Sequence, residues 1–395
     1  MDENKILKCG ADMIHLASSA LRGATPDKNR AQEMDVKAIS KMASFHSMQA
    51  ITYIALADLA EKDAELISDT ETLSMMRADY GRALSKLFSL EMEREALTKF
   101  LEEKKIWYLP LKGIILKDYY PKLGMRQMTD NDILINPKFA KDVRSFLVDR
   151  GYTVLDFGKG CHDIYQKGTV IFEIHRKLAA DTKKNQKKKQ FCNEIVEKAI
   201  KSRVDSYKLT LTDEDFYVYF IFHTYKHFSS SGCGIRSLMD IYLYMQKKMA
   251  ELDMEYVENK LSSLGLYEFE RKTRELAFLI FSPEPSELYS ALESLSPEMH
   301  DLLLYFLSSG TFGTSEQLIK NTLTDISNNE EITTRVKLKY FFRRLFPPFE
   351  FYKLAYPKLH KFIVTIPFLW FFRLLRGIRK SDKVSNEIKN LKKIK

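Results

Sequence analysis

Apolar residues in the first 105 positions recur at spacings of three and four, as in Ile51, Ile54, Ala55 and Leu59, and again in Leu84, Leu87 and Leu90. That period predicts helix throughout. Proline occurs here once (Pro26) and glycine at Gly10, Gly23 and Gly81, so little interrupts the pattern. No polar group in this stretch has catalytic spacing. It reads as a helical layer that packs on something else.

The pattern changes at Lys105. Ile106–Leu111 is short, apolar and aromatic, which suits a strand, and Lys112-Gly113 ends it. Ile114–Tyr120 predicts a short helix stopped by Pro121. A polar loop with Gly124 leads to a second strand, Thr129–Ile135. Pro137 opens a helix at its first turn, where proline is tolerated, and Gly151 caps it. Thr153–Asp156, Asp163–Gln166 and Val170–His175 predict three more strands, separated by glycine-containing turns. Lys183–Lys189 (KKNQKKK) predicts an exposed loop between domains. Helical spacing returns from Phe191, with breaks at Ser229–Gly234, Ser282–Ser286, Ser308–Ser315 and Pro347-Pro348. There is no internal repeat. The division is a helical region over 1–104, an α/β core over 105–180, a helical region over 190–375 and a basic tail over 376–395. The fold class is α+β, a small sheet flanked by helices.

Composition narrows the class without naming a function. A chain of 395 residues with 45% hydrophobic and 29% charged residues buries a large core and is not disordered over most of its length. Only 15 glycines and 11 prolines disfavour a turn-rich all-β protein. The net charge of +9 permits an anionic partner but does not identify one. Cys9, Cys161, Cys192 and Cys233 form no CxxC pair, so no cysteine metal site is expected. The N-terminus MDENKILKCG places two acids before any apolar run, unlike a secretory leader, and a reducing, cytoplasmic location is expected.

The most apolar window is Phe362–Phe372, which contains Pro367. It is too short for a membrane span, which takes about twenty apolar residues. Two readings stay open. One is a helix buried against the body. The other is an interfacial anchor, because Arg373, Arg376, Arg379 and Lys380 follow and the tail to Lys395 adds more lysines. Such a segment suits the anionic inner face of a membrane. A solvated tail has the same composition.

The candidate chemistry lies in the α/β block. Asp130 and Asp132 flank Asn131 on a predicted strand, so both carboxylates share a face. Two such carboxylates repel unless a cation neutralises them, and Mg²⁺ prefers hard oxygen ligands and phosphates. A solvated strand end would also explain the pair. Glu173 is an isolated acid in the apolar run VIFEIH. If its strand lies beside that of Asp132, it is the third carboxylate of a cluster able to hold two Mg²⁺. An internal ion pair is the alternative. His175 shares the Glu173 face, as a partner of a carboxylate or substrate or as a structural histidine. Lys112-Gly113 precedes a helix start and would suit phosphate. Arg126 precedes Asp130 by four residues and would reach the same anion. Further on, His223, Lys226, His227, Arg236 and Asp240 form a second polar set. His223 and His227 lack the glutamate of HExxH, so zinc is not expected. Arg236 and Asp240 are one turn apart, either pairing with each other or lining a pocket with Lys226.

The order Lys-Gly, Arg126-x-Met128-x-Asp130-x-Asp132 and Glu173-x-His175 resembles the nucleotidyltransferase superfamily of the DNA-polymerase-β type. LPLKGIIL from Leu109, GMRQMTDNDILI from Gly124 and FEIHRKL from Phe172 are more closely similar to a bacterial group of uncharacterised nucleotidyltransferase family proteins. So are HTYKH from His223, GIRSLMD from Gly234 and the Arg344-Leu-Phe-Pro stretch. The resemblance covers most of residues 45–375. It implies a small mixed sheet wrapped by helices, and Mg²⁺-dependent transfer of an NMP from an NTP to a hydroxyl-type acceptor. It implies Asp130, Asp132 and Glu173 as catalytic metal ligands. Lys112, Gly113, Arg126, His175, Lys226 and Arg236 would contact the nucleotide. Lys-Gly stands where the wider superfamily has Gly-Ser, which removes a phosphate-binding hydroxyl. The acceptor is a small molecule or surface-polymer precursor in this reading, and a protein or RNA in a second. A third makes the chain a non-catalytic binding protein on the same fold. No aromatic-interleaved basic stripe is present, so a nucleic-acid partner is not expected.

Overall fold

The computed structural model describes residues 2–179, 186–328, 330–349, 351–352, 365–378 and 381–394. The chain divides into two compact units, Met1–Tyr225 with Gly234–Thr311, and Lys226–Cys233 with Phe312–Lys395.

The first unit holds a five-stranded sheet in the order β1-β2-β5-β4-β3. The strands are β1 (Tyr108–Pro110), β2 (Asn131–Ile135), β3 (Thr153–Asp156), β4 (His162–Lys167) and β5 (Val170–His175). Only the β2–β5 pairing is parallel. The sheet is therefore mixed, and the α+β expectation holds. Three strand starts shift from the sequence reading. β1 opens at Tyr108 rather than Ile106, β2 opens at Asn131, leaving Asp130 in the loop before it, and β4 opens one residue earlier, at His162.

Side-chain alternation gives the sheet two unlike faces. Ile133 and Ile135 of β2, Phe172 and Ile174 of β5, and Tyr165 of β4 are fully buried. They form one core with Leu87, Leu90, Leu97 and Leu101 of helix Thr70–Glu103, and with Val143 and Leu147 of helix Ala140–Asp149. Asn131 is bound into the same side. Its Nδ2 donates to the Leu90 carbonyl (2.8 Å) and its Oδ1 accepts from Arg94 (3.2 Å). A polar residue at the start of an apolar strand thus pins the long helix to β2.

Residues before the sheet are helical as predicted, in Glu3–Arg22, Lys28–Glu33, Val36–His46, Gln49–Lys62 and Thr70–Glu103. Two buried histidines tie them to distant chain. His15 Nδ1 donates to the Pro285 carbonyl (3.0 Å), and its Nε2 accepts from the Asp27 N–H (3.2 Å). His46 Nε2 donates to the Leu307 carbonyl (3.1 Å), and its Nδ1 accepts from the Ile235 N–H (3.2 Å). Each ring is satisfied only when neutral, because its second nitrogen faces a donor. Burial accordingly pulls His15 below the ordinary histidine range and His46 down to about 4.

The basic run is not wholly a loop. Lys183 to Asn185 lie outside the described residues, but Gln186 to Lys189 open a helix, Gln186–Lys198. Phe191, Cys192 and Ile195 bury one side of it, which outweighs the charge of its first turn. Lys188 also rests over the rings of Phe222 and Tyr225.

The second unit contains helices Ser315–Ser327, Thr334–Leu345, Ile366–Ile378 and Ser381–Lys393. Its core is Ile319, Leu323, Ile326 and Tyr340, against which Leu391 and Ile394 pack. The predicted tail over 376–395 is thus largely helix rather than frayed chain. Its Glu387 accepts from Tyr340 (2.7 Å) and from Arg344 (2.8 Å). In the apolar window, 362–364 lie outside the described residues. Beyond them Leu369 is buried, but Phe368, Phe371 and Phe372 are 65%, 55% and 60% exposed, so the helix is buried on one side only. No described helix is long and apolar enough to cross a membrane.

Candidate functional site

The polar face of the sheet gathers the acids. Asp132 and Glu173 are register partners across the parallel β2–β5 boundary. Asp130, in the loop before β2, completes a set whose carboxylate oxygens lie within 4.8 Å of one another. Two side chains hold Asp132 by a single oxygen: Lys112 Nζ and His175 Nε2 each lie 2.7 Å from its Oδ1. Of the two sequence readings for His175, the carboxylate partner is the one seen.

Lys112 reaches Asp132 from the turn after β1. Its backbone has φ +47° and ψ −114°, a conformation that side chains other than glycine's rarely adopt. Its carbonyl accepts from Ile115 and Leu116 and closes the first turn of the short helix Gly113–Leu116. Gly113 is required by packing: a Cβ there would come within 2.7 Å of Arg126 Nη1 and 3.1 Å of Met128 Cε.

The electrostatics separate the three acids. Burial works against charge on Asp132, but Lys112 and His175 hold it well below the carboxylate range. Burial and then the Asp132 charge push Asp130 up to about 6 and Glu173 up to about 7. Against its own burial, Lys112 is held charged chiefly by Asp132. One carboxylate is therefore firmly ionised, and two are poised near neutrality.

Arg126 and Arg236 sit beside Asp130, and both act on its charge. Arg126 grips Asp240 with two prongs, Nε–Oδ1 at 2.8 Å and Nη2–Oδ2 at 2.9 Å, while Tyr120 donates to the same Oδ1 (2.8 Å). Asp240 thus pairs with Arg126, not with its helical neighbour Arg236. Arg236 donates to the Gln127 carbonyl (3.0 Å) and has no carboxylate ion pair among the described residues. The two guanidiniums thus lie between the Asp240 and Asp130 carboxylates. Burial, then Arg126, pulls Arg236 below its ordinary range. Lys226 falls in the second unit, with an exposed side chain on the last turn of helix Asp213–Phe228.

Sequence reasoning missed His162. It is the register partner of His175 on β4, and its Nε2 lies 3.9 Å from Glu173 Oε2. His162, Glu173 and His175 form a second set of ligand atoms within 4.8 Å, sharing Glu173 with the first. Lys86 of the long helix and Tyr219 of helix Asp213–Phe228 were also missed. Lys86 acts electrostatically on Asp130, and Tyr219 on Lys112. Neither carries a motif, since both come from helices distant in sequence.

The first set is built of oxygen alone and suits a hard divalent cation, and the adjoining guanidiniums suit an anion. The second set adds imidazole nitrogen, which suits borderline metals. Comparison with curated proteins returns no match. The model of a family described as uncharacterised nucleotidyltransferase matches residues 32–282, a stretch that contains the whole sheet, all three acids, both arginines and Asp240. That match spans well over half of the residues, and the chain belongs to this nucleotidyltransferase family.

Proposed function

We propose that the first unit transfers an NMP from an NTP to a hydroxyl of a small molecule or surface-polymer precursor, with Mg²⁺ at Asp130, Asp132 and Glu173. Transfer of a nucleotidyl group is the general chemistry of the family. The observation that carries the finer reading is the parallel register of Asp132 with Glu173, which supports a three-carboxylate cation site.

The donor set fits Mg²⁺. It offers oxygens only, and two of its members are disfavoured as anions until a cation arrives. In this reading the three carboxylates would hold two Mg²⁺ ions, with Glu173 on the acceptor side. When bound, such ions neutralise triphosphate charge and make an acceptor hydroxyl more acidic.

The chain's own residues prepare the site. His175 fixes the Asp132 carboxylate through Nε2. Lys112 supplies a positive charge at Asp132 Oδ1 and gains a phosphate oxygen as its partner when NTP enters. Arg236, beside Asp130 and without a carboxylate of its own, attracts the triphosphate, and the Asp240 fork holds Arg126 in position next to it. The reaction belongs in the cytoplasm, where NTP and Mg²⁺ are supplied.

Thermal shift with each of the four NTPs and Mg²⁺, wild type beside Asp132→Asn and Asp130→Asn, tests the reading. A shift with at least one NTP that both variants lose is expected, followed by acceptor labelling from that NTP. A folded wild type that shifts with none of them would leave a binding protein on a transferase fold.

A further inference from the structure

The second unit carries most of the chain's imbalance of charge. Residues 312–395 hold 18 Lys and Arg against 7 Asp and Glu, whereas residues 1–311 are close to neutral. Two helices of the same unit present apolar stripes to solvent. On Thr334–Leu345, Leu338, Phe341 and Phe342 are exposed and Leu345 is partly so. On Ile366–Ile378, Phe368, Phe371, Phe372 and Leu375 are all exposed. Both sets follow the spacing i, i+3, i+4, i+7, which places each on one arc about 100° wide.

These stripes are not misplaced core. The second helix uses its opposite side for docking: Trp370 stacks on Phe346 (5.5 Å, 8° between planes), and its Nε1 donates to the Leu345 carbonyl (2.9 Å). Arg373 donates to that carbonyl as well (3.3 Å). Leu369, on the docked side, is buried. The unit therefore has an internal core and a separate outward set of large apolar side chains. On the first helix, exposed Arg335, Lys339 and Arg343 run along one flank of the stripe.

We propose that these two helices form a membrane-surface site that takes anionic lipid. Phenylalanine and leucine would enter the acyl boundary, while the basic flank stays among the headgroups. The excess positive charge selects an anionic surface over a second copy of the chain, which would bring like charge against like. No spanning segment is needed. The proposal does not use the NTP site and stands whether or not the transfer reading holds.

The test is co-sedimentation of the full chain with vesicles of phosphatidylcholine alone or mixed with phosphatidylglycerol. Binding to the mixed vesicles is expected, with about tenfold less to phosphatidylcholine and a steep loss in high salt. Phe341→Asp with Phe342→Asp, and Phe371→Asp with Phe372→Asp, should each abolish binding without changing the thermal melt. If either pair disturbs folding, Arg335→Gln with Lys339→Gln and Arg343→Gln serves instead, and should erase the lipid preference. Absence of binding to the mixed vesicles, equal binding to both compositions, or unchanged binding by the variants would overturn the proposal. So would sedimentation equilibrium showing a dimer that the aspartate variants dissociate, with no lipid binding.

Discussion

Lys112 Nζ and Asp132 Oδ1 meet at 2.7 Å, both almost wholly buried, and the lysine reaches that oxygen from a left-handed backbone. The contact supplies positive charge where three acids converge. It also ties the partners together: removing Asp132 leaves Lys112 charged without its carboxylate in the interior, and removing Lys112 leaves Asp132 with His175 alone.

Asp132→Asn is therefore expected to destabilise the fold by about 3–5 kcal/mol while reducing transfer at least about a hundredfold. Adding Lys112→Met to that variant should restore part of the stability and none of the activity. Urea melts of the single and double variants measure the first statement. Should the double variant be no more stable than Asp132→Asn, the charge account fails.

The Mg²⁺-induced rise in melting temperature should grow with pH. Asp130 near 6 and Glu173 near 7 lie above their ordinary values, so the folded chain holds protons that the unfolded chain has released. Their contribution to stability is present at low pH and is lost as pH rises through about 6 and 7. A cation that takes the ionised acids as ligands, as proposed, would reverse that loss. The shift should be small at about pH 5 and full by about pH 8. Melts across that range, with and without Mg²⁺, decide it, and a shift independent of pH contradicts the raised acids.

His46 acts in the opposite direction. Its folded value of about 4 lies below the ordinary 6.5, so the unfolded chain takes up the proton first. The stability it contributes is present above pH 6.5 and drains as pH falls from there towards 4. The gap corresponds to about 3 kcal/mol. His46→Gln should begin less stable at neutral pH and lose less on acidification, which acid titrations of both proteins would show.

Gly113→Ala would place a methyl 2.7 Å from Nη1 of Arg126, whose Nε and Nη2 Asp240 already holds. The expected cost is about 1–3 kcal/mol, with weaker NTP response. A variant as stable and as responsive as wild type would show that the Arg126 fork yields easily.

Much of this architecture was legible in the sequence. The strands announced themselves by short apolar runs between glycine turns, and alternation alone put Glu173 and His175 on one face. The two-residue turn Gly168-Thr169 also fixes the β4–β5 register, so His162 opposite His175 could have been placed by starting β4 one residue earlier. What periodicity could not supply was pairing at long range. The capture of Asp240 by Arg126 joins residues 114 apart, and the i,i+4 rule pointed instead to Arg236. The basic run before Phe191 misled because charge was weighed above the apolar side chains that follow one turn later.

The two neutral histidines have a consequence for synthesis. His15 waits for Pro285 and His46 for Leu307, separations of 270 and 261 residues. At ribosomal rates of about 5–20 residues per second, the first helices spend on the order of tens of seconds outside the ribosome before their partners emerge. During that interval a helix as apolar as Glu3–Arg22 has nothing of its final neighbourhood beyond Pro285 to cover it. Until then the first helix can rest only on its early neighbours, Val36–His46 and Gln49–Lys62, and the two imidazoles lock this layer only after Pro285 and Leu307 have left the ribosome.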